Sequence, residues 1–407
     1  MTPIDDQGQI AIAWPPATPK IDFGGTMRQA NLFERPSEHP VRHRLIRTLR
    51  GVAAVASVAG AVMVSSGCAS EMTSGPETIA INGDAFSGKL VIDSVSRTLY
   101  VATHIADDDG DPDTNVHALS VIDMSTNTVT ARIPMSTYAN ASDIAIDSST
   151  RTIYIVSALD RQRETGLLTI VDGETNTVTA EIPTGAYSMR VAVDQITHTA
   201  YLVNEATKTI EDAAGRLYTL TVSVVPPGAR SVGAPVPVAI ASAEDIVIDD
   251  ASHTAYLVDN SRLEVIDLAT TTKTSTILLP SSNTEIALFD TDSRTIFAVN
   301  QEGEVAIVDL ATGKFTKNYE GFGRLEDSRG IRITYTAALD SARHTVYTAG
   351  NALADEDLIK AIDTDTGVVV DTWQVRQPDG VAVDPDTHTL YAFVDGDVAV
   401  YPRPEPR

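Results

Sequence analysis

Chemistry in this chain would have to come from carboxylates, a few histidines and a single thiol. Four histidines, His198, His253, His344 and His388, stand at one phase of a recurring phrase, and Arg97, Arg151 and Arg294 hold the same phase elsewhere. Repeated imidazoles invite a zinc reading. Zinc, however, needs its ligands within about 2.0–2.3 Å of one ion, and equivalent turns of separate structural units lie too far apart for that. The densest carboxylate run is Asp107-Asp108-Asp109-Gly110-Asp111-Pro112-Asp113. Hard cations such as Ca²⁺ take about six to eight oxygens from such side chains, which makes Asp107, Asp109, Asp111 and Asp113 the candidate calcium ligands. The spacing departs from an EF-hand, because a loop with Gly110 at its sixth position would begin at Ile105. The alternative is a solvated loop tip. No other cofactor is indicated, and the sole cysteine, Cys68, excludes an intramolecular disulfide.

The elements that would position these groups are visible through internal repetition. One phrase recurs: an alternating apolar run, Asp, a short polar turn, Thr, then an aromatic that leads a second apolar run. Its anchoring aspartates are Asp93, Asp147, Asp194, Asp249, Asp290, Asp340 and Asp384, separated by 54, 47, 55, 41, 50 and 44 residues. Apolar and polar residues alternate at period two on both sides of each turn, so every phrase reads as a β-hairpin. The Asp side chain can accept from the backbone two residues on and hold the reversal without glycine. The aromatics Tyr100, Tyr154, Tyr201, Tyr256, Phe297, Tyr347 and Tyr391 keep strict repeat phase and are assigned to packing between units.

A second Asp-centred phrase follows most copies, at Asp123, Asp172, Asp267, Asp309 and Asp363. It supplies two outer strands. The third unit lacks it and carries Pro226-Pro227-Gly228 instead, so its outer half is expected to be irregular. The last unit ends one strand short at Val398-Ala399-Val400-Tyr401, and a surplus strand, Thr78-Ile79-Ala80-Ile81, precedes the first phrase. Pairing the two would close a ring with no open seam. The expected fold is an all-β, seven-bladed β-propeller over residues 77–402, sealed by its N-terminal strand in the last blade.

The residues after each hairpin turn read YVAT, YIVS, YLVN, YLVD, FAVN, YTAG and YAFV. Together with the VIDMSTNTV and IVDGETNTV phrases, they resemble the YVTN-type β-propeller repeat of YncE-like proteins, over about residues 77–401. The resemblance implies an extracytoplasmic or cell-surface propeller with a binding role, although fold does not dictate function.

The N-terminal part reads as an export device. Residues 41–50 carry four arginines and residues 51–67 carry no charge, the layout of a secretory signal. Ser65-Ser66-Gly67-Cys68 resembles a bacterial lipobox, with Ser65 standing where an aliphatic residue is usual. That resemblance implies acylation of Cys68. An uncleaved anchor and plain secretion are the alternatives, and all three put the remainder outside the cytoplasm. Residues 1–50 are read as a disordered lead, with Met1 or Met27 as the start, residues 51–67 as the signal or anchor, and residues 68–76 as a tether.

Net charge is −25, of which residues 1–67 contribute +2, leaving −27 on the rest. Such acidity disfavours nucleic acid and anionic lipid as partners. An envelope protein or a glycan is the expected partner, and the membrane is reached only through the N-terminal anchor or an acylated Cys68.

Residues four or five before each anchoring Asp should rim the channel on the face that carries the long loops. They are Lys89, Asp143, Arg190, Asp245, Glu285, Thr336 and Asp379. They could hold a cation or a cationic ligand, or simply line a wet channel. No catalytic residue is assigned. A lactonase-like hydrolase or lyase would need a rim histidine or a metal cluster, and only His104 and His117 lie in a loop of that face. The chain is therefore expected to bind rather than catalyse, on the outer side of the membrane.

Overall fold

The computed structural model describes residues 76–83, 89–105, 116–135, 141–159, 165–211, 217–238, 240, 242–319, 333–351 and 357–402. The lead, the apolar segment, Cys68 and the acidic loop with Asp107, Asp109, Asp111 and Asp113 lie outside them.

Seven four-stranded antiparallel sheets form the fold. Blades 1 to 6 span Lys89–Met135, Ala141–Pro183, Ser188–Val238, Asp245–Leu278, Thr284–Tyr319 and Ile333–Val375. Blade 7 takes Pro378–Tyr401 and borrows Glu77–Ile79 from the start of the chain. Glu77 pairs with Val400, Thr78 with Ala399 and Ile79 with Val398. The borrowed strand is a residue or two shorter than the alternation suggests, because the backbone amides of Ile81 and Asn82 turn to donate to Asp397 Oδ1, at 2.8 and 2.9 Å. The first strands of successive blades lie against one another around the ring, and Pro378–Val383 meets Lys89–Asp93. The ring is closed.

Every anchoring aspartate is buried. Most cap the turn as expected: the amides of Val95, Ser149, Ile196, Asp292 and Asp386 donate to Asp93, Asp147, Asp194, Asp290 and Asp384, at 2.9–3.2 Å. Each turn then needs a left-handed residue, and here all seven are non-glycine: Arg97, Arg151, His198, His253, Arg294, His344 and His388 have φ between 50° and 60°. That conformation costs an L-residue roughly 1–2 kcal/mol. In the outer turns the same position is held by Asn127, Asn176, Thr271, Gly313 and Gly367, mostly residues that tolerate it.

The difference lies in reach. Arg97 bonds Asp384 of blade 7, His198 bonds Asp147, His253 bonds Asp194, Arg294 bonds Asp249 and His388 bonds Asp340, at 2.5–3.2 Å, and Arg151 lies 3.6 Å from Asp93. Each link joins a turn to the aspartate of the preceding blade. His344 breaks the series: it faces Asp365 of its own blade at 3.9 Å. The repeated imidazoles thus face carboxylates one by one.

Apolar wedges supply most of the cohesion. Tyr100 packs with Ile144 and Ile153 of blade 2, and Tyr391 with Leu99 and Val101 of blade 1. The other five aromatics occupy the same place between their own blade and the next. All seven are at most 7% exposed, and burying one such side chain stabilises by about 1.5–3 kcal/mol. Each aspartate link sets a partly exposed cation or imidazole on a buried carboxylate, so the links fix register between blades while the wedges bury the apolar surface.

Blade 3 is irregular outside, as its prolines require: its outermost strand is only Val236–Val238. Its second strand, Thr199–Glu211, instead runs on well into what reads as loop, pairing Ile210 with Tyr218 and Glu211 with Leu217.

Replacing Arg294 by Asn keeps a residue suited to the left-handed turn while deleting the link to Asp249. Denaturant unfolding is expected to show a loss of about 1–3 kcal/mol, the cost of a buried group left without its partner. His344→Asn, which loses no cross-blade link among the described residues, is expected to stay within about 0.5 kcal/mol of the parent. Equal losses in the two variants would contradict this account.

Candidate functional site at the channel mouth

Where the seven innermost strands begin, Lys89, Asp143, Arg190, Asp245, Glu285, Thr336 and Asp379 line one cavity of about 300 Å³. The seven positions inferred from repeat phase are brought together. Pairing registers slip at this end in blades 2, 3, 5, 6 and 7, between Ala141 and Asp143, Ser188 and Arg190, Thr284 and Ile286, Thr334 and Thr336, and Pro378 and Gly380. A bulge re-aims the side chains beside it. The extra residue stands five before the aspartate in all five blades; in blades 5 and 7 it is the rim residue itself, and in blades 2, 3 and 6 the rim residue follows it.

Two rim carboxylates also fasten blades together. Asp143 accepts from its neighbour Ile144 N at 2.9 Å and from Val191 N of blade 3 at 3.0 Å. Asp245 accepts from Ile246 N and from Ala287 N of blade 5, both at 2.8 Å. Nothing in the repeat pattern signals this role. Arg190 is held by the carbonyls of Glu244 and Met189, which seats it between the two carboxylates. Glu285 accepts from Gln301 Nε2.

The field at the mouth is uneven. Removal from water pushes Asp143 above the ordinary carboxylate value, opposed by the charges of Arg190 and Lys89. Loss of solvation pushes Asp245 up to about 6, with Arg190 opposing and Asp143 adding to the rise. Acids held in a costly ionised form inside a cleft are a common mark of a functional site. The described lining residues include no His, Cys or Ser, and the groups at hand are suited to ion pairing and proton exchange.

Other candidate residues fall elsewhere. His117 is buried in blade 1, with His104 opposite it in the ladder, and His117 is not among the described residues that line the cavity. Among the described residues no cluster of His, Cys, Asp and Glu could hold a metal. Two further concavities had no signal in the repeat. One, of about 640 Å³, lies between blades 6 and 7 against Asp357, Arg376, Asp395 and Tyr401. The other, of about 320 Å³, lies between blades 2 and 3 beside His198 and Arg230. In the second, Ser149 Oγ and Asp147 Oδ2 both address Nδ1 of His198, at 3.2 and 2.9 Å. A nucleophile and its orienting acid must use opposite ring nitrogens, so this is a turn bond and not a triad.

The Asp245 shift has a consequence for stability. Its folded pKa lies above the unfolded one, so the folded state binds the proton more tightly. That contribution is fully present below pH 3.8 and is lost as pH rises through about 6. Asp245→Asn removes the titration. The stability difference, parent minus variant, is expected to fall by roughly 1–3 kcal/mol between pH 4.5 and pH 7.5, measured by denaturant melts. A difference independent of pH would refute the assignment.

No protein-family model matches the chain, and no curated protein matches it. Solved structures do resemble it. The β-propeller domain of Cps50 (Swd1) from Myceliophteria thermophila aligns with a TM-score of 0.60 at 11% identity, over 81% of this chain and 99% of that one. Kuenenia stuttgartiensis hydrazine synthase aligns with a TM-score of 0.58 at 16% identity, over 83% and 99%. At such identities the likeness is one of fold: the chain is a seven-bladed β-propeller.

Proposed function

We propose that this chain is an extracytoplasmic, membrane-tethered binding propeller of the YVTN type, acting without catalysis on the cell envelope. The observation that carries the reading is the convergence of six charged side chains and one hydroxyl, one from each blade, on a single small cavity. A rigid ring of sheets presenting variable groups at one mouth is a recognition scaffold. The basic flank, uncharged stretch and Cys68 that precede the propeller support tethering, and the −27 charge of the rest supports a soluble body held off anionic lipid. A lactonase-like hydrolase is the alternative. The carboxylates of the mouth could serve it as bases, but the described lining residues include no histidine, the rim group expected of such an enzyme.

Tagged chain recovered from envelope fractions tests the binding role. The parent is expected to bring down a stoichiometric protein or glycan, and Arg190→Glu, which places an acid between Asp143 and Asp245, is expected to lower its recovery at least ten-fold. Saturable lactone turnover by the purified chain would overturn the reading. Tethering is tested separately: labelled palmitate is expected to enter the parent but not Cys68→Ala, which should leave the lipid-anchored fraction. Equal labelling of both would remove the lipoprotein reading.

A further inference from the structure

The outer half of blade 3 departs from the repeat, and a cavity lies where it does. At the seam between blades 1 and 2, Tyr100 and Arg151 both donate to the carbonyl of Gly173 in the outer turn of blade 2, at 3.4 and 3.0 Å. At the seam between blades 2 and 3, residues 226–230 replace that outer turn, and His198, shorter than arginine, stands in the phase of Arg151. Here lies the concavity of about 320 Å³ beside His198 and Arg230. It sits at the short-turn face, away from the channel mouth, and its occupant is independent of what the mouth binds.

The lining carries both signs of charge. Arg230 is exposed on the replacement loop and makes no ion pair among the described residues. Asp172 accepts the amides of Glu174 and Thr175 at 2.8 and 3.1 Å, both on Oδ1. The Thr175 amide above all, with the Arg151 charge adding to it, holds the Asp172 carboxyl below its ordinary value, so it is ionised. The other acid of the lining, Asp147, is committed to its turn and to His198 Nδ1. Tyr154 is 3% exposed and also lines the cavity. Burial, and after it the Asp147 charge, pushes its phenol above the usual value, which keeps the hydroxyl a donor. Ile170 and Ala229 add apolar surface.

We infer that this cavity binds a free aliphatic α-amino acid, its carboxylate on Arg230 and Tyr154, its ammonium on Asp172 and its side chain against Ile170 and Ala229. A guanidinium meets a carboxylate with two parallel hydrogen bonds, and an ammonium donates to the free face of an ionised acid. A simple anion would enter against the −27 charge of the body. A simple cation would leave Arg230 unanswered. A zwitterion carries no net charge and satisfies both poles. The volume lies at the small end of ligand sites and suits one amino acid rather than a peptide.

Calorimetric titration of the full chain, purified in detergent, with leucine, valine, alanine, N-acetyl-leucine and leucinamide tests the assignment. At least one of the three free amino acids is expected to bind saturably at millimolar concentration. N-acetyl-leucine, which lacks the ammonium, and leucinamide, which lacks the carboxylate, are expected to bind at least about ten-fold more weakly, the worth of one charged hydrogen bond. Arg230→Gln and Asp172→Asn, the second of which keeps a side chain able to cap the turn, should each weaken the amino acid by a similar factor. Tyr154→Phe should weaken it less, and Arg376→Gln, between blades 6 and 7, should leave it within two-fold. Cooperative unfolding of each variant checks that it folds, and Arg230 is exposed enough for its replacement to do so. Absence of saturable binding by all three amino acids, equal binding of either blocked form, or an unchanged Arg230→Gln would overturn the inference.

Discussion

The register of the propeller depends on a ring of buried aspartates, each of which satisfies its own turn and, in six of the seven, a residue of the blade that follows. At the turn the carboxylate replaces the glycine that a tight reversal would otherwise need. Toward the next blade it accepts a guanidinium or an imidazole from a residue forced into left-handed backbone. These two demands explain an arrangement that would otherwise be costly. Arg and His are poor left-handed residues, yet they fill all seven inner turns, whereas Asn, Gly and one Thr fill the corresponding outer turns. At six of the seven inner turns the left-handed residue carries a side chain that crosses a seam, and His344 is the exception. Several aspartates respond in kind. Burial is the largest influence on Asp147 and raises its pKa, but hydrogen bonds from Thr150 and Ser149 and the His198 charge together hold it below the ordinary value. At Asp194 burial again raises, and the Thr197 amide and His253 outweigh it.

Fastening on this scale sets what the opposite end of each inner strand is free to do. The wedges and aspartate links hold the blades along their length and at the short-turn face, so the rim can carry charge without opening the ring. Even there two acids are used twice. Asp143 and Asp245 each take an amide from the following blade, and the cost of keeping them ionised is what raises their pKa. Blades 2 and 4 thus combine a structural staple with an exposed field, whereas Glu285 and Asp379 sit at bulges that turn them to the mouth.

Much of this was legible beforehand because a propeller is periodic. Seven anchoring aspartates, seven aromatics in phase and a missing last strand determine blade number, hairpins, wedge residues and closure, and the rim follows by counting back along each inner strand. What periodicity cannot show is contact between copies. Arg97 and His198 look like ordinary polar turn residues until the ring brings Asp384 and Asp147 beside them. The one available signal is substitution pattern, since Arg and His alternate at a position where Asn or Gly would be easier. Bulges escaped because they shift phase by one residue without changing composition. The concavity between blades 6 and 7 escaped because it gathers residues from strand ends that share no repeat position.

The break in the belt between blades 5 and 6 shows how a seam can be held by other means. His344 faces Asp365 instead of Asp290, and the apolar contact there rests on Phe297, Val299, Val305, Val346 and Ile362 among the described residues. The fastening has moved outward. Tyr319, at the end of the outermost strand of blade 5, reaches the blade 6 outer turn and donates to the carbonyls of Thr364 and Asp365, both at 3.0 Å. Its ring fills the space that a β-carbon on residue 367 would need, and Gly367 has φ of 74°. Glycine is therefore required there twice over, by backbone conformation and by the ring that covers it. Among the described residues, an outer aromatic latch thus stands at the seam between blades 5 and 6, where the inner turn makes no link to Asp290.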